Sequence, residues 1–451
     1  MSRRFLTTVA LLGLIIAPAL KVQAAEQDLV TRRTLANGLH LSVVVDPLTD
    51  LAACHLALDI SAADFPEQQA GITEIIQQLM LDKLRARVTA SGELAEIYDA
   101  VSAGGSFAVG ADDEYVEAQA ALPCELLSEA LQTTGDLFFG SQEFTDEQLG
   151  EAKAAIVKTY EGSLNAVGQR TFRLFRRALL GKSPLAYDVS TILTGIAGVT
   201  TKDISGCRAR LYVPSRAYLT VVSALPAERV IAIAEQAFGD YPGTAEAHVR
   251  RAMSRPAASV VRVGSGEGMA HASLIIGVPL APYGTREFAA GQVAYMLLAG
   301  RDGRLTSDQM LQRGFGLMLP RSLYEEQPAF QVIPPGPMSV PVIAVHVVAN
   351  PAFIEDARLQ VLGHVEAIRQ GQFSEEELQA AKDQLTNQYA LAYNTYLSRA
   401  QLINLNALFG GDPQLNGDFP ELIASISAEE VVKAAQKYFA YHAIGVQMPA
   451  N

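Results

Sequence analysis

An internal repeat constrains the fold of this chain more than any other feature of its sequence. Shifted by 229 positions, the segment that begins at Phe144 matches the segment that begins at Phe373. Each segment opens with Thr or Ser followed by acidic residues, which is typical of a helix N-terminus, and continues for several turns at helical spacing. The coinciding pairs are Phe144 and Phe373, Leu149 and Leu378, Ala152 and Ala381, Lys153 and Lys382, and Tyr160 and Tyr389. The repeat predicts two copies of one structural unit.

A second match follows at nearly the same offset. Val199 to Ile204 precedes Tyr212 in the first half, and Ile426 to Val431 precedes Phe439 in the second. In both halves the pattern predicts a capped helix that ends near an aromatic residue. A β-rich segment comes next, at 217–222 in one half and 443–447 in the other.

Hydrophobic patterning supplies the remaining elements. It predicts strands at 41–45, 54–60 and 271–278 and helices at 72–84 and 230–238. Prolines, glycine and charged residues after Tyr241 indicate a linker. The expected fold class is therefore α+β, with two homologous domains, each a mainly antiparallel sheet packed with helices. The expected boundaries are 25–242 for the N-terminal domain, 243–259 for the linker and 260–451 for the C-terminal domain.

The first 24 residues have the pattern of a cleaved signal peptide. Arg3 and Arg4 precede an apolar run from Leu6 to Leu20, and Val22-Gln23-Ala24 offers a small-residue cleavage site. An uncleaved anchor is the alternative, but the run is short for a membrane span, and no later segment is apolar for long enough to be one. We expect a periplasmic or secreted protein.

Charge and cysteine content exclude some functions. Without residues 1–24 the chain would carry 32 basic against 48 acidic side chains, a net charge of −16, which disfavours binding to nucleic acid. The three cysteines, Cys54, Cys124 and Cys207, are far apart and have no metal-ligand spacing. They could form one disulfide and one free thiol, or a link to a partner, but we favour the interpretation that they are three buried small apolar residues.

The sequence contains no recognisable hydrolase site. None of its seven histidines is close enough to another to share adjacent helical turns. Gly-x-Ser-x-Gly and a P-loop are both absent. No base–nucleophile or metal constellation is therefore apparent.

The order of the segments nevertheless resembles a known family. Asn37-Gly38-Leu39 leads into a strand, the next strand ends near Ala63 to Pro66, and Gly71-Ile72 opens an amphipathic helix. The helix after Phe144 and the turn Tyr212-Val213-Pro214 follow. This series, with the duplication, resembles the pitrilysin/insulinase-type zinc metallopeptidases, including mitochondrial processing peptidase and its bacterial periplasmic relatives. The resemblance covers roughly residues 32–445.

The resemblance implies where a zinc site would be. In the family, the helix of the first domain carries His-x-x-Glu-His, in which both histidines face one zinc and the glutamate activates water. Aligned after Gly71, this chain has Glu74 and Gln78 at the histidine positions and Gln77 at the base position. The distal ligand would fall near Glu151. Glutamine is a poor zinc ligand and cannot act as a base, so we expect no catalytic residue and no zinc in this chain.

The polar side chains at these counterpart positions have two interpretations. They are Glu74, Gln77, Gln78 and Glu151. Two carboxylates and two amides could hold a hard cation such as calcium. The interpretation we favour is a solvated polar face opposite the apolar one. That apolar face comprises Ile72, Ile75, Ile76, Leu79 and Met80.

The resemblance also points to a substrate-contacting region in the second half. Family members often carry an Arg and a Tyr, seven residues apart, that bind substrate opposite the zinc. The corresponding positions here hold Gln312 and Leu319. Arg304 and Arg313 nearby are candidate contacts to a peptide or to a partner's carboxylates, although ordinary surface arginines are the alternative.

The family builds a closed chamber from four such domains, in one chain or in two. A two-domain chain without the zinc motif is therefore expected to be the non-catalytic subunit of a heterodimer. It would contribute chamber wall and peptide binding, while zinc would lie in a partner that carries His-x-x-Glu-His. A peptide-binding or scaffold protein without a protease partner is the alternative.

Overall fold

The structure is a computed structural model that describes residues 30–48, 50–88, 94–164, 167–243, 258–266, 270–301, 303–307, 329–333, 338–410 and 419–450. The predicted signal peptide lies outside the described residues, as does most of the predicted linker. In the first half the elements are β1 (Thr31–Thr34), β2 (His40–Val45), β3 (Leu51–Leu58), α1 (Ile72–Ala86), α2 (Ala95–Ser102), β4 (Ser106–Ala111), β5 (Val116–Pro123), α3 (Leu127–Phe138), α4 (Asp146–Leu164), α5 (Val167–Leu180), α6 (Val189–Gly198), α7 (Thr201–Leu211), β6 (Ala217–Ser223) and α8 (Ala227–Phe238).

The second half repeats this pattern. Its elements are β7 (Val260–Gly266), β8 (Ala272–Pro279), α9 (Arg286–Ala299), α10 (Arg304–Ser307), β9 (Ala329–Ile333), β10 (Val342–Ala349), α11 (Ile354–Arg369), α12 (Glu375–Ala392), α13 (Tyr396–Leu408), α14 (Phe419–Ser425), α15 (Ala428–Tyr438) and β11 (Ala443–Pro449).

Each half contains one mixed sheet, and the two sheets share a five-stranded topology to which the first adds β1 at one edge. The first has the order β1-β2-β6-β3-β5-β4 and the second β7-β11-β8-β10-β9. In each, the last strand of the half inserts beside the first long strand and runs parallel to it, β6 beside β2 and β11 beside β7. All other neighbouring strands are antiparallel. The predicted fold class is therefore confirmed.

A separate hydrophobic core lies beneath one face of each sheet. In the first half, helices α1, α3, α7 and α8 contribute Ile75, Leu131, Ile204 and Val230 to the core. In the second half, α9, α11 and α15 contribute residues such as Val293, Val361 and Val431. The capping boxes Thr200–Asp203 and Ser427–Glu430 start α7 and α15, as the repeat predicts.

The second face of each sheet is covered by a helix from the other half. Helix α5 packs against β7, β8 and β11, and α13 packs against β3, β5 and β6. The two helices start at Val167 and Tyr396, which are related by the repeat offset of 229 residues. Phe175 of α5 fits over Gly277 and Gly445, at each of which an added Cβ would lie within 2.5 Å of it. We call this pair of contacts the reciprocal helix packing.

Polar contacts also link the two halves. Asn404 of α13 donates through Nδ2 to the Tyr218 carbonyl oxygen and lies 2.8 Å from His55 Nδ1. Thr171 of α5 donates to the Ser273 hydroxyl at 2.7 Å. Arg399 forms a nearly buried ion pair with Asp46. Burial alone would raise the pKa of Asp46, but hydrogen bonds from the Leu48 N–H and from Arg399 and Tyr396 hold this pKa below its ordinary value.

The structure describes all three cysteines. No cysteine forms a disulfide; Cys54 and Cys207 are buried, and burial raises the pKa of each thiol to about 12. They therefore act as small apolar side chains.

In the described parts of the chain, no helix is both long and apolar enough to cross a membrane.

We expect Gly445→Ala to destabilise the protein by about 2 kcal/mol, because the reciprocal helix packing leaves no space for a methyl group there. Its Cβ would lie 2.4 Å from the Phe175 amide nitrogen and 2.7 Å from the Thr171 carbonyl oxygen. The measurement is the free energy of unfolding from urea titration.

Gly363→Ala is the matched control, because Gly363 is exposed within α11 and a Cβ there meets nothing within 4 Å. Alanine should stabilise that helix by roughly 0.5–1 kcal/mol. Equal effects of the two substitutions would contradict the close approach of α5 to the second sheet.

Candidate functional site

The helix expected to carry the zinc motif is intact. Helix α1 begins after Gly71, whose φ of 84° favours glycine, and a Cβ there would lie 2.5 Å from Ile196 Cγ1. The five apolar positions predicted for its inner face are all buried. Glu74, Gln77 and Gln78 are half-buried and share the other face, because residues three and four apart are neighbours on a helix.

Glu74 is held by hydrogen bonds from two side chains. Thr73 donates through Oγ1 to Glu74 Oε2 at 2.8 Å, and Tyr160 of α4 donates its hydroxyl to Glu74 Oε1 at 3.3 Å. Burial, followed by the negative charge of Glu74, raises the pKa of Tyr160. The phenol is therefore protonated at neutral pH and remains a donor to the carboxylate. Gln78 is occupied separately, since its Nε2 donates to Asp82 Oδ1 at 2.9 Å.

A cavity of about 290 Å³ opens beside this pair, and we call it the Glu74 cavity. Glu74 and Tyr160 line it together with Asp112 and Asp113, from the turn between β4 and β5, and Arg176 of α5. Arg176 forms an ion pair with Asp113. Burial, followed by the charge of Asp113, raises the pKa of Asp112. The wall therefore carries three carboxyl groups and one guanidinium among residues that are otherwise uncharged.

The acidic turn also connects the two halves of the chain. Glu114 is 8% exposed, and its carboxylate accepts hydrogen bonds from the backbone N–H and the hydroxyl of Ser339. The Glu74 cavity therefore lies close to the junction between the halves.

The side chains at this position do not fit a catalytic zinc. Zinc sites use imidazole, thiolate or carboxylate ligands, whereas this helix presents one carboxylate and two neutral amides. Tyr160 donates a hydrogen bond to that carboxylate. Within the described residues, no three His, Cys, Asp or Glu side chains are grouped so that they could hold a metal ion.

The other predicted site residues lie apart from Glu74. Glu151 is exposed on α4, nine residues before Tyr160, which is about 13 Å along the helix axis. Arg304 donates to the Gln372 carbonyl oxygen and lies 3.7 Å from Glu377 Oε1, so it contacts the start of α12. Arg313 lies outside the described residues, as do Gln312 and Leu319. Substrate binding by Arg304 and Arg313 stays a prediction.

Comparison with known families bears on the fold of the chain. Residues 198–385 match the family model of the peptidase M16 inactive domain. The chain has an M16-like peptidase fold. The resemblance to the pitrilysin/insulinase-type peptidases is thereby confirmed, and the model that matches is that of the inactive domain. No curated protein matches the sequence.

Solved structures match nearly the whole chain at low sequence identity. A peptidase M16 inactive domain from Pseudomonas fluorescens superposes with a TM-score of 0.76 at 15% identity, covering 94% of this chain and 98% of that one. A protease from Helicobacter pylori gives 0.75 at 16% identity, covering 93% and 99%. A chain of Complex III2 from Candida albicans gives 0.72 at 12% identity, covering 93% and 96%. At these identities the likeness shows a shared fold.

Sequence reasoning did not assign Tyr160 or the acidic turn to this site. In the sequence Tyr160 stands out only as a member of the internal repeat, and its contact with Glu74 depends on how α4 lies against α1. Three consecutive acidic residues from Asp112 were a visible signal. They mark the turn, but the cavity beside it becomes apparent only in three dimensions.

Restoring the family motif on α1 tests which residue of α4 faces that motif. We expect the triple variant Glu74→His, Gln77→Glu, Gln78→His to bind zinc weakly, because two imidazoles alone leave the ligand set incomplete. Adding Tyr160→Glu should tighten zinc binding by at least about tenfold, since it places a carboxylate opposite the histidines. Competition with a chromogenic chelator measures both affinities.

The control adds Glu151→Ala to the triple variant. We expect no change in zinc affinity, because Glu151 is exposed two and a half turns away from Tyr160. Weaker binding in this control would instead identify Glu151 as the distal ligand.

Proposed function

We propose that this chain is the non-catalytic subunit of a periplasmic heterodimeric zinc metallopeptidase. Its role is to form part of the chamber wall and to bind the peptide, while a homologue with His-x-x-Glu-His supplies zinc and the general base. The observation that carries this proposal is the Glu74 cavity. The peptidase fold and the apolar face of α1 are retained there, while a carboxylate–tyrosine pair and two amides stand where zinc ligands are expected.

The sheet edge beside the cavity supports a role in peptide binding. Strand β4 is one of the two edge strands of the first sheet, next to β5, and it ends at Ala111 in the wall of the Glu74 cavity. An extended peptide can add to such an edge as a further strand through main-chain hydrogen bonds. A peptide paired with β4 would then continue past Asp112 towards Glu74.

Charge indicates which peptides would bind. Glu74, Asp112 and Asp113 line the cavity, and Arg176 balances one of these carboxylates. The mature chain is acidic as a whole, with an expected net charge of −16. Basic or amphipathic peptides are therefore the expected substrates.

The decisive experiment combines the mature chain, residues 25–451, with an intact homologue from the same organism. We expect a stable heterodimer by light scattering, peptide hydrolysis only in the mixture, and zinc only in the homologue. The control uses a homologue in which the motif glutamate is replaced by glutamine, so that it assembles without hydrolysing. Two separate species in the mixture, or zinc-dependent hydrolysis by this chain alone, would refute the proposal.

A scaffold role without a protease partner is the second candidate. The likeness to a chain of Complex III2 favours it, because that chain has this fold within a multisubunit assembly. The two candidates differ in the mixing experiment. A scaffold would leave the hydrolysis rate of the homologue unchanged.

Peptide binding is tested separately with Asp112→Asn. We expect this substitution to weaken the binding of a fluorescent basic peptide by roughly two- to fivefold at low salt, and less at high salt, because one carboxylate of the cavity wall is lost. Asp240→Asn, which removes an exposed carboxylate after α8, is the matched control and should leave binding unchanged. Equal effects of the two substitutions would indicate a general effect of net charge, with no contribution from the Glu74 cavity.

A further inference from the structure

A second cavity, of about 300 Å³, lies in the first half between the end of α3 and the end of α7. We call it the Arg208 cavity. Its apolar wall includes Phe138, Phe139, Pro214 and Pro242. Its volume is at the lower end of the range for small-molecule sites.

Three polar side chains in its wall have buried atoms without a hydrogen-bond partner. These atoms are Arg208 Nη1, the Tyr212 hydroxyl and Gln142 Oε1, and within the described residues none of the three has a partner. Arg208 is 7% exposed and Tyr212 is 4% exposed. Such atoms are rare in folded proteins, because an unpaired buried polar group costs about 1–3 kcal/mol.

The orientation of the Arg208 side chain is fixed by its second terminal nitrogen, Nη2. Nη2 donates to the carbonyl oxygens of Leu137, Phe138 and Gly140, at 3.0, 3.3 and 3.1 Å, and so satisfies the C-terminal end of α3. The guanidinium also lies 5.1 Å from the centre of the Tyr212 ring. Nη1 is thereby left without a hydrogen-bond partner among the described residues.

The second half carries apolar residues at the corresponding positions. The capped helix before Tyr212 corresponds to the one before Phe439, so Arg208 and Tyr212 correspond to Ala435 and Phe439. In each pair the later N–H donates to the earlier carbonyl oxygen. Ala435 and Phe439 are buried and apolar. The tyrosine hydroxyl is therefore an addition at a position where an apolar ring suffices, whereas Arg208 also satisfies the end of α3.

We propose that the Arg208 cavity binds a monocarboxylate that carries an apolar group and, next to the carboxylate, an N–H or O–H donor. Arg208 Nη1 and the Tyr212 hydroxyl would donate to the carboxylate, and Phe138, Phe139 and the two prolines would contact the apolar group.

Gln142 and Glu143 narrow the choice of ligand. Gln142 Nε2 donates to the carbonyl oxygens of Asp136 and Leu137, which leaves Oε1 as an acceptor for the ligand's donor. Glu143 also lines the cavity and would repel a dianion. A single carboxylate therefore matches this site better than a phosphate does. An N-acyl amino acid and the C-terminus of a peptide both present this chemistry.

The test uses the mature chain with N-acetyl-L-phenylalanine, its carboxamide and sulfate as probes, followed by calorimetry and thermal denaturation. We expect the acid to raise the Tm and to bind at least about tenfold more tightly than the amide. A hexapeptide ending in phenylalanine, with a free or an amidated C-terminus, distinguishes the two sources. If only the free-ended hexapeptide binds, the ligand is a peptide C-terminus.

Tyr212→Phe separates ligand binding from folding. It reproduces the residue that the second half carries, so the variant should fold, and its Tm without ligand should equal or exceed that of the parent because an unpaired buried hydroxyl is removed. Its affinity for the acid should fall by roughly tenfold. Tyr441→Phe, on the exposed surface of the second half, is the control and should change neither quantity.

Several outcomes would overturn the proposal. These are equal binding of acid and amide, a Tm shift by sulfate as large as that by the acid, no shift with any carboxylate, or undiminished binding in Tyr212→Phe. Should that variant fail to fold, the comparison of acid with amide on the parent chain still decides. The proposal does not depend on a protease partner, since every measurement uses this chain alone.

Discussion

The reciprocal helix packing is the contact on which the rest of the structure depends. Antiparallel sheets often leave one face in water, but β3 is buried at seven of its eight positions and β8 at all eight. Each half covers one face of its sheet with its own helices and needs a helix from the other half for the second face. Without α13, Ala57 and Val222 would lie open to solvent, and without α5 the same would hold for Ile275 and Ala443. The two halves are therefore expected to fold as one unit, with the Glu74 cavity close to their junction.

Much of the fold could be predicted from the sequence, because hydrophobic periodicity and helix caps are local properties. The strand 41–45 and the helix 72–84 are found as β2 and α1, within two residues at each end. The exchange of helices could not be predicted. Helix α5 carries Arg170, Arg173, Arg176 and Arg177 beside its apolar residues, and locally this pattern indicates an ordinary surface helix. Which sheet its apolar side covers is decided by contacts more than 80 residues away in sequence, which no local pattern contains.

The sequence identifies the residues that stand at the zinc-ligand positions of the candidate site, but it does not identify the side chains that contact them. Comparison with His-x-x-Glu-His identified Glu74, Gln77 and Gln78 as the counterpart positions, and their shared helix face follows from their spacing alone. The partner of Glu74 on α4 does not follow from spacing, because it depends on how the two helices cross. Glu151 is the only carboxylate in the stretch where the resemblance places the distal ligand, whereas the side chain that reaches Glu74 is Tyr160, two and a half turns further on. Predictions of residue type within one element were therefore more reliable than predictions of contacts between elements.

The two cavities of the first half differ in how their polar groups are satisfied, and this difference separates their roles. In the Glu74 cavity the carboxylate that replaces a zinc ligand accepts hydrogen bonds from Thr73 and Tyr160, so its charge is stabilised without a metal. In the Arg208 cavity, donors and an acceptor remain unused within the described residues, at a place where the second half of the chain is apolar. Unused buried hydrogen-bonding capacity lowers stability, so a tyrosine hydroxyl retained where the second half carries Phe439 indicates a requirement other than folding. At the family's zinc position, Glu74 is thus satisfied by hydrogen bonds within the chain. In the wall of the Arg208 cavity, by contrast, hydrogen-bonding atoms remain that the proposed ligand would use.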